Sequence, residues 1–124
     1  MLLTAYYASA FALIFVALSF NVIRFRLKSG IPFGDGKDKS MKRAIRVHGN
    51  FAEYVPITLI MIYFVETQGQ NSTLVHGLGS AFLLARISHI YGVSQIKENI
   101  VFRVFGLFVT GCVLSISALT LLLT

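Results

Sequence analysis

The sequence predicts an all-α integral membrane protein, a bundle of four transmembrane helices forming one domain over residues 1–124. Three observations predict it. The chain is 56% hydrophobic and only 13% charged, whereas a soluble domain is about 45–50% apolar and about 25% charged. Its mean hydropathy is +0.75, and so short a chain has too small an interior to hide that much apolar surface from water. The apolar residues fall in four long runs, each on the scale of a hydrocarbon core about 30 Å thick.

The first span covers about Leu2 to Ile23 and carries no charge. At about 1.5 Å per residue it reaches roughly 33 Å. It lacks a basic leading region and a clear small-residue cleavage site, so the expectation is a retained helix. Arg24 to about Lys42 reads as a polar loop, because Gly30, Pro32, Gly34 and Gly36 break helices there. The second span covers about Met41 to Glu66, with Pro56 expected to kink it. Thr67 to Thr73 forms a loop without Lys or Arg. The third span, about Leu74 to Tyr91, contains His76, Arg86 and His89. A turn from Gly92 to Asn99 leads to the fourth span, about Ile100 to Leu123, whose one charge is Arg103.

The net charge of +6 is unevenly spread. Arg24, Arg26, Lys28, Lys37, Lys39, Lys42, Arg43 and Arg46 make eight of the eleven basic residues, against Asp35 and Asp38 in the same stretch. Cations clustered beside an apolar span indicate a membrane-flanking loop rather than a nucleic-acid surface. The positive-inside rule then puts the first and third loops in the cytoplasm and both termini outside. The single Cys112 excludes an internal disulfide and a cysteine metal cluster, and no metal is expected. Asn71-Ser72-Thr73 fits a glycosylation acceptor, a triplet that arises often by chance. Gly106, Gly111 and Ser115 would allow a close helix contact along the fourth span.

Ionisable groups inside a bilayer are costly and mark functional positions. The sharpest set opens the second span: Arg46, Asn50, Glu53 and Tyr54. At about 100° per residue they fall within an arc of roughly 100°. One helix face thus offers a cation, an amide, a carboxylate and a phenol. Such a face suits a zwitterionic ligand, with Arg46 forking onto a carboxylate and Glu53 holding an ammonium. It equally suits a polar network between helices. Arg86 and His89 are three apart on the third span and share a face, level with that set. His89 reads first as a satisfied interfacial histidine, and Arg103 has a rival reading as an anchor to anionic head groups. His76 and His89 stand roughly 220° apart around a helix, which excludes a shared haem.

The stretch Arg43-Ala44-Ile45-Arg46-Val47-His48-Gly49-Asn50-Phe51-Ala52-Glu53-Tyr54-Val55-Pro56 resembles the second-helix motif of the MAPEG family, the membrane-associated proteins in eicosanoid and glutathione metabolism. The pattern Arg-x-x-x-Asn-x-x-Glu-Tyr-x-Pro carries the resemblance. The chain's length, four spans and long first loop agree with it. Arg86 with Gly92, and Arg103 with Gly106, also look like family positions. The resemblance implies a homotrimer, with glutathione as co-substrate bound between neighbouring subunits near the cytoplasmic face. It implies Arg46, Asn50, Glu53 and Tyr54 as glutathione ligands and Arg103 as the catalytic arginine that stabilises the thiolate. It also brings His48, one of Arg24 and Arg26, Arg86 and His89 to the binding pocket. The small size resembles the bacterial branch and implies an inner-membrane location. The sequence departs from the leukotriene-forming members on the third helix, where two tyrosines are replaced by His89 and Val93.

The function expected from this resemblance is a glutathione transferase or peroxidase acting on lipophilic electrophiles drawn from the bilayer. A second expectation, of a different class, is a membrane protein that binds glutathione or lipid, or assists a partner enzyme, without catalysis. A four-helix drug exporter fits less well, since proton coupling needs a membrane carboxylate and the first span has none.

Overall fold

The computed structural model describes every residue from Met1 to Thr124 and contains four α-helices and no strands. They are α1 (Leu3–Ser29), α2 (Lys39–Thr67), α3 (Ser72–Ser94) and α4 (Ile100–Leu123). Local chemistry sets most of their ends. Asp38, Asn71 and Asn99 each cap the helix that follows, accepting from the backbone N–H of Met41 at 2.9 Å, Leu74 at 2.8 Å and Phe102 at 3.4 Å. Gly30 closes α1 in the left-handed region at φ 68°, with its N–H donating to Arg26 O. The start of α1 is capped from a distance. Glu66, in the last turn of α2, accepts from the N–H of Leu3 at 2.6 Å and of Thr4 at 2.9 Å.

Two boundaries differ from the expectation. α1 continues beyond Ile23 to Ser29, so Arg24, Arg26 and Lys28 lie on its last turns and the loop is shorter. These are good helix formers, and Arg26 and Lys28 favour the negative end of the helix dipole. α3 continues to Ser94, so Gly92 and Val93 are helical. Gly92 is there for closeness: a Cβ on it would lie 2.7 Å from Arg103 N and 2.9 Å from Asn99 O. Pro56 lies inside α2, which runs through it as helix.

α2 packs on all three other helices; α1 also meets α3, and the backbones of α1 and α4 make no close approach. The core joins Phe11, Phe51, Val55, Ile62, Val65, Val75, Leu78, Phe82 and Val113. Phe11 stacks at a tilt between Phe51 and Phe82, with centroids 6.1 and 4.9 Å apart. The tightest seam is α3 on α4. A Cβ on Gly106 would lie 2.6 Å from Ala85 O and 2.8 Å from His89 Cβ.

Only 24 of 124 residues are buried. Leu13, Phe20, Leu84, Phe108 and Leu122 point outward and are each more than half exposed. Leaving one such side chain in water forgoes about 1.5–3 kcal/mol, so this surface is built for lipid or for other protein. α1 and α4 are long and apolar enough to cross a membrane by composition. α2 carries the polar motif on its first half, and the fully buried Arg86 lies within α3.

Candidate functional site

The up-and-down path of the chain brings the end of α1, the start of α2, the end of α3 and the start of α4 to one pole of the bundle. The opposite pole is fastened by Glu66 of α2, which accepts from the first turn of α1, and by Tyr7 Oη against His76 Nδ1 at 2.9 Å. At the first pole lies an open cleft of about 690 Å³, within the size range of small-ligand sites. Its wall carries Lys39, Lys42, Arg43, Arg46 and Arg103, against Asp35 and Glu98. Arg46 and Arg103 come from α2 and α4, so folding brings to one cavity two arginines that the sequence sets on separate spans.

The α2 motif divides into two layers. On the outer layer Arg46 Nη2 donates to both carboxylate oxygens of Glu53, at 2.9 and 2.8 Å, across two helical turns. Both side chains are about half exposed, so a ligand can reach them. On the inner layer Asn50 Oδ1 accepts from Arg86 Nη2 at 2.5 Å. Arg86 is fully buried; its guanidinium lies 5.7 Å from the Tyr54 ring centre and 5.9 Å from that of Phe51. Its Nε and Nη1 have no partner, and neither does Nδ1 of the buried His89. Asn50 and Arg86 thus tie α2 to α3 directly beneath the Arg46–Glu53 pair.

Three sequence candidates lie on the α1 side and do not themselves line the cleft, though Arg26 holds Gly34, which does. His48 Nε2 meets Ser19 Oγ at 3.0 Å and its ring stacks on Phe15. Arg24 donates to Asn21 Oδ1 at 2.8 Å and lies over Phe25. Arg26 donates to the carbonyls of Ile31 and Gly34 at 3.2 and 3.0 Å, holding the loop after α1.

Sequence reasoning missed Glu98. Its carboxylate accepts from Arg103 Nη1 at 2.6 Å and sits 3.3 Å from Arg43 Nη1. The bond from Arg103, then the bond from Arg43, hold its pKa below the usual glutamate value. The available signal was compositional: Glu98 is one of five acids in the chain and the only one between α3 and α4.

Fold and site together define a class: an integral membrane bundle of four helices with a basic, polar cleft at one pole. The chain belongs to the MAPEG family, whose model matches residues 4–123. It is similar to the inner membrane protein YecN of Escherichia coli strain K12, 34% identical over 118 residues, covering 95% of this chain and 88% of that protein. YecN of Escherichia coli O6:H1 matches over the same shares with the same identity.

Proposed function

We propose that this protein binds glutathione in the basic cleft and activates its thiol for attack on lipophilic electrophiles from the bilayer, as a homotrimer in a bacterial inner membrane with the cleft on the cytoplasmic side. The observation that carries this reading is that Arg46 and Arg103 line one cavity, with the Arg46–Glu53 pair at half exposure beside it. Glutathione is zwitterionic along its peptide. Arg46 matches a carboxylate by a charge-assisted fork, and Glu53 matches the ammonium. Opening their mutual pair to admit the ligand exchanges one set of ionic bonds for another, so binding costs little in unpaired charge.

The chemistry then falls to Arg103. A free thiol has a pKa of about 8.5 and is mostly protonated at pH 7. A guanidinium beside the sulfur favours the thiolate, and each tenfold gain in the thiolate-to-thiol ratio needs about 1.4 kcal/mol of such interaction. The thiol proton leaves to water. The sulfur lone pair forms a bond to the electrophilic carbon, and the leaving group departs with its electron pair. With a hydroperoxide, two glutathiones would give the alcohol, water and the disulfide. Holding the peptide at Arg46 and Glu53 makes the attack effectively intramolecular.

A second reading, binding without catalysis, is favoured by one observation: Glu98 already occupies Arg103. Calorimetry with glutathione, followed by ultraviolet thiolate absorbance, separates the two. Glu53→Gln should weaken binding roughly tenfold or more, since a charge-assisted hydrogen bond is worth about 1.5–3 kcal/mol. Arg103→Ala should keep affinity at low pH and lose thiolate absorbance near neutrality. Binding with the same thiol pKa in parent and Arg103→Ala would leave the binding-only reading, and no binding of glutathione would remove glutathione from both readings.

A further inference from the structure

The cleft already contains an anion, and that anion is part of the chain. Glu98 presents one carboxylate oxygen to Arg103 of α4 and the other to Arg43 of α2. A carboxylate spread over two guanidiniums is how an arginine pair binds a small anionic ligand. All three residues line the cavity. Cations there outnumber acids, Lys39, Lys42, Arg43, Arg46 and Arg103 facing Asp35 and Glu98. The field of the cleft therefore attracts anions while two of its donors are held by a tethered carboxylate.

The tether is short and locally fixed. Glu98 immediately precedes Asn99, which caps α4 and whose own N–H donates to Gly92 O at 3.1 Å. The backbone at this turn is thus pinned to both α3 and α4. The side chain alone has freedom to leave the arginines, by rotation about its own bonds toward the open mouth of the cleft.

We propose that Arg43 and Arg103 form an anion subsite that Glu98 fills in the ligand-free protein, and that Glu98 makes the cleft selective for ligands whose own carboxylate or thiolate displaces it. A neutral ligand of the same shape gains nothing from breaking the Glu98 pairs and is rejected by them. An anionic ligand exchanges one ionic partner for another and sends Glu98 to water. Selectivity of this kind comes from a built-in competitor rather than from added attraction. The inference rests on the glutathione reading only in naming that peptide as the displacing anion; the subsite itself is tested with sulfate.

The experiment is calorimetry of the full chain in nanodiscs of zwitterionic lipid, with glutathione and, separately, sulfate. Glu98→Gln should bind both anions about fivefold more tightly, the equivalent of one exposed ion pair removed as competitor. Glu98→Asp, which keeps the charge, should stay near the parent. Glu98→Ala should reproduce the gain should the glutamine variant fail to fold. A structural clamp behaves differently: the melting temperature falls while affinities stay the same or weaken, and that result overturns the proposal. Tighter sulfate binding by Glu98→Gln, with no glutathione binding by parent or variant, supports the subsite and removes the glutathione reading. Tight glutathione binding by the parent with no gain in any Glu98 variant removes the subsite and leaves that reading intact.

Discussion

Asn50 and Arg86 meet across the α2–α3 seam, the amide oxygen accepting from a guanidinium with no exposed surface. Asn50 is the only hydrogen-bonding partner this guanidinium has within the chain. A buried cation with a single neutral acceptor makes that acceptor a stability hinge.

Asn50→Leu should therefore destabilise the protein by about 1.5–3 kcal/mol, the worth of a hydrogen bond to a charged group. Arg86→Met placed on top of it should recover most of the loss, because no charge is then left unpaired. Thermal unfolding in detergent of both single variants and the double variant reads the coupling. Additive losses would mean that the two residues act separately.

The α3–α4 seam makes opposite claims about two glycines on one helix. Gly106→Ala drives a Cβ to 2.6 Å from the Ala85 carbonyl oxygen, against backbone that cannot yield cheaply. A loss of about 1–3 kcal/mol is expected. Gly111 has nothing within 4 Å of the same atom, so Gly111→Ala should stay within about 0.5 kcal/mol of the parent. Equal effects from the two would contradict this packing.

Glu98 gives a pH dependence of definite sign. Its pKa in the folded protein is depressed, by the Arg103 bond first and the Arg43 bond second. The unfolded chain titrates it near about 4.3. The stabilisation is thus fully present above that value and is lost as pH falls through the lower folded pKa. Parent and Glu98→Gln should differ in melting temperature at pH 6 and converge on acidification below about pH 4. A gap that widens on acidification would carry the wrong sign.

The lopsided basic residues set an expectation for orientation. In a cysteine-free background, Gln70→Cys in the α2–α3 loop should react with an impermeant maleimide added to intact bacteria. Phe33→Cys in the α1–α2 loop, flanked by Lys28 and Lys37, should react only after lysis. Strong labelling of Phe33→Cys from outside would invert the topology.

The sequence by itself determined the solvent, the helices and the family. Apolar runs of this length admit few other structures, since in lipid each backbone polar group needs an internal partner. The apolar runs place the starts of α2, α3 and α4 to within two residues, and the structure shows Asp38, Asn71 and Asn99 capping them. The α2 motif is legible because helical spacing alone puts Arg46, Asn50, Glu53 and Tyr54 near one face. The end of α1 is not, because loop glycines and charges mask the helix propensity of Arg24 to Ser29. Gly92 looks like the start of a turn because a sequence does not show which backbone will lie against a missing Cβ. Only the tertiary structure divided the motif into an exposed Arg46–Glu53 pair and a buried Asn50–Arg86 pair. Only it put Glu98 between Arg43 and Arg103. The Asn50–Arg86 and Arg43–Glu98 contacts join residues distant in the chain, and such pairing depends on which faces the bundle turns inward, a choice settled by packing and not by any local periodicity.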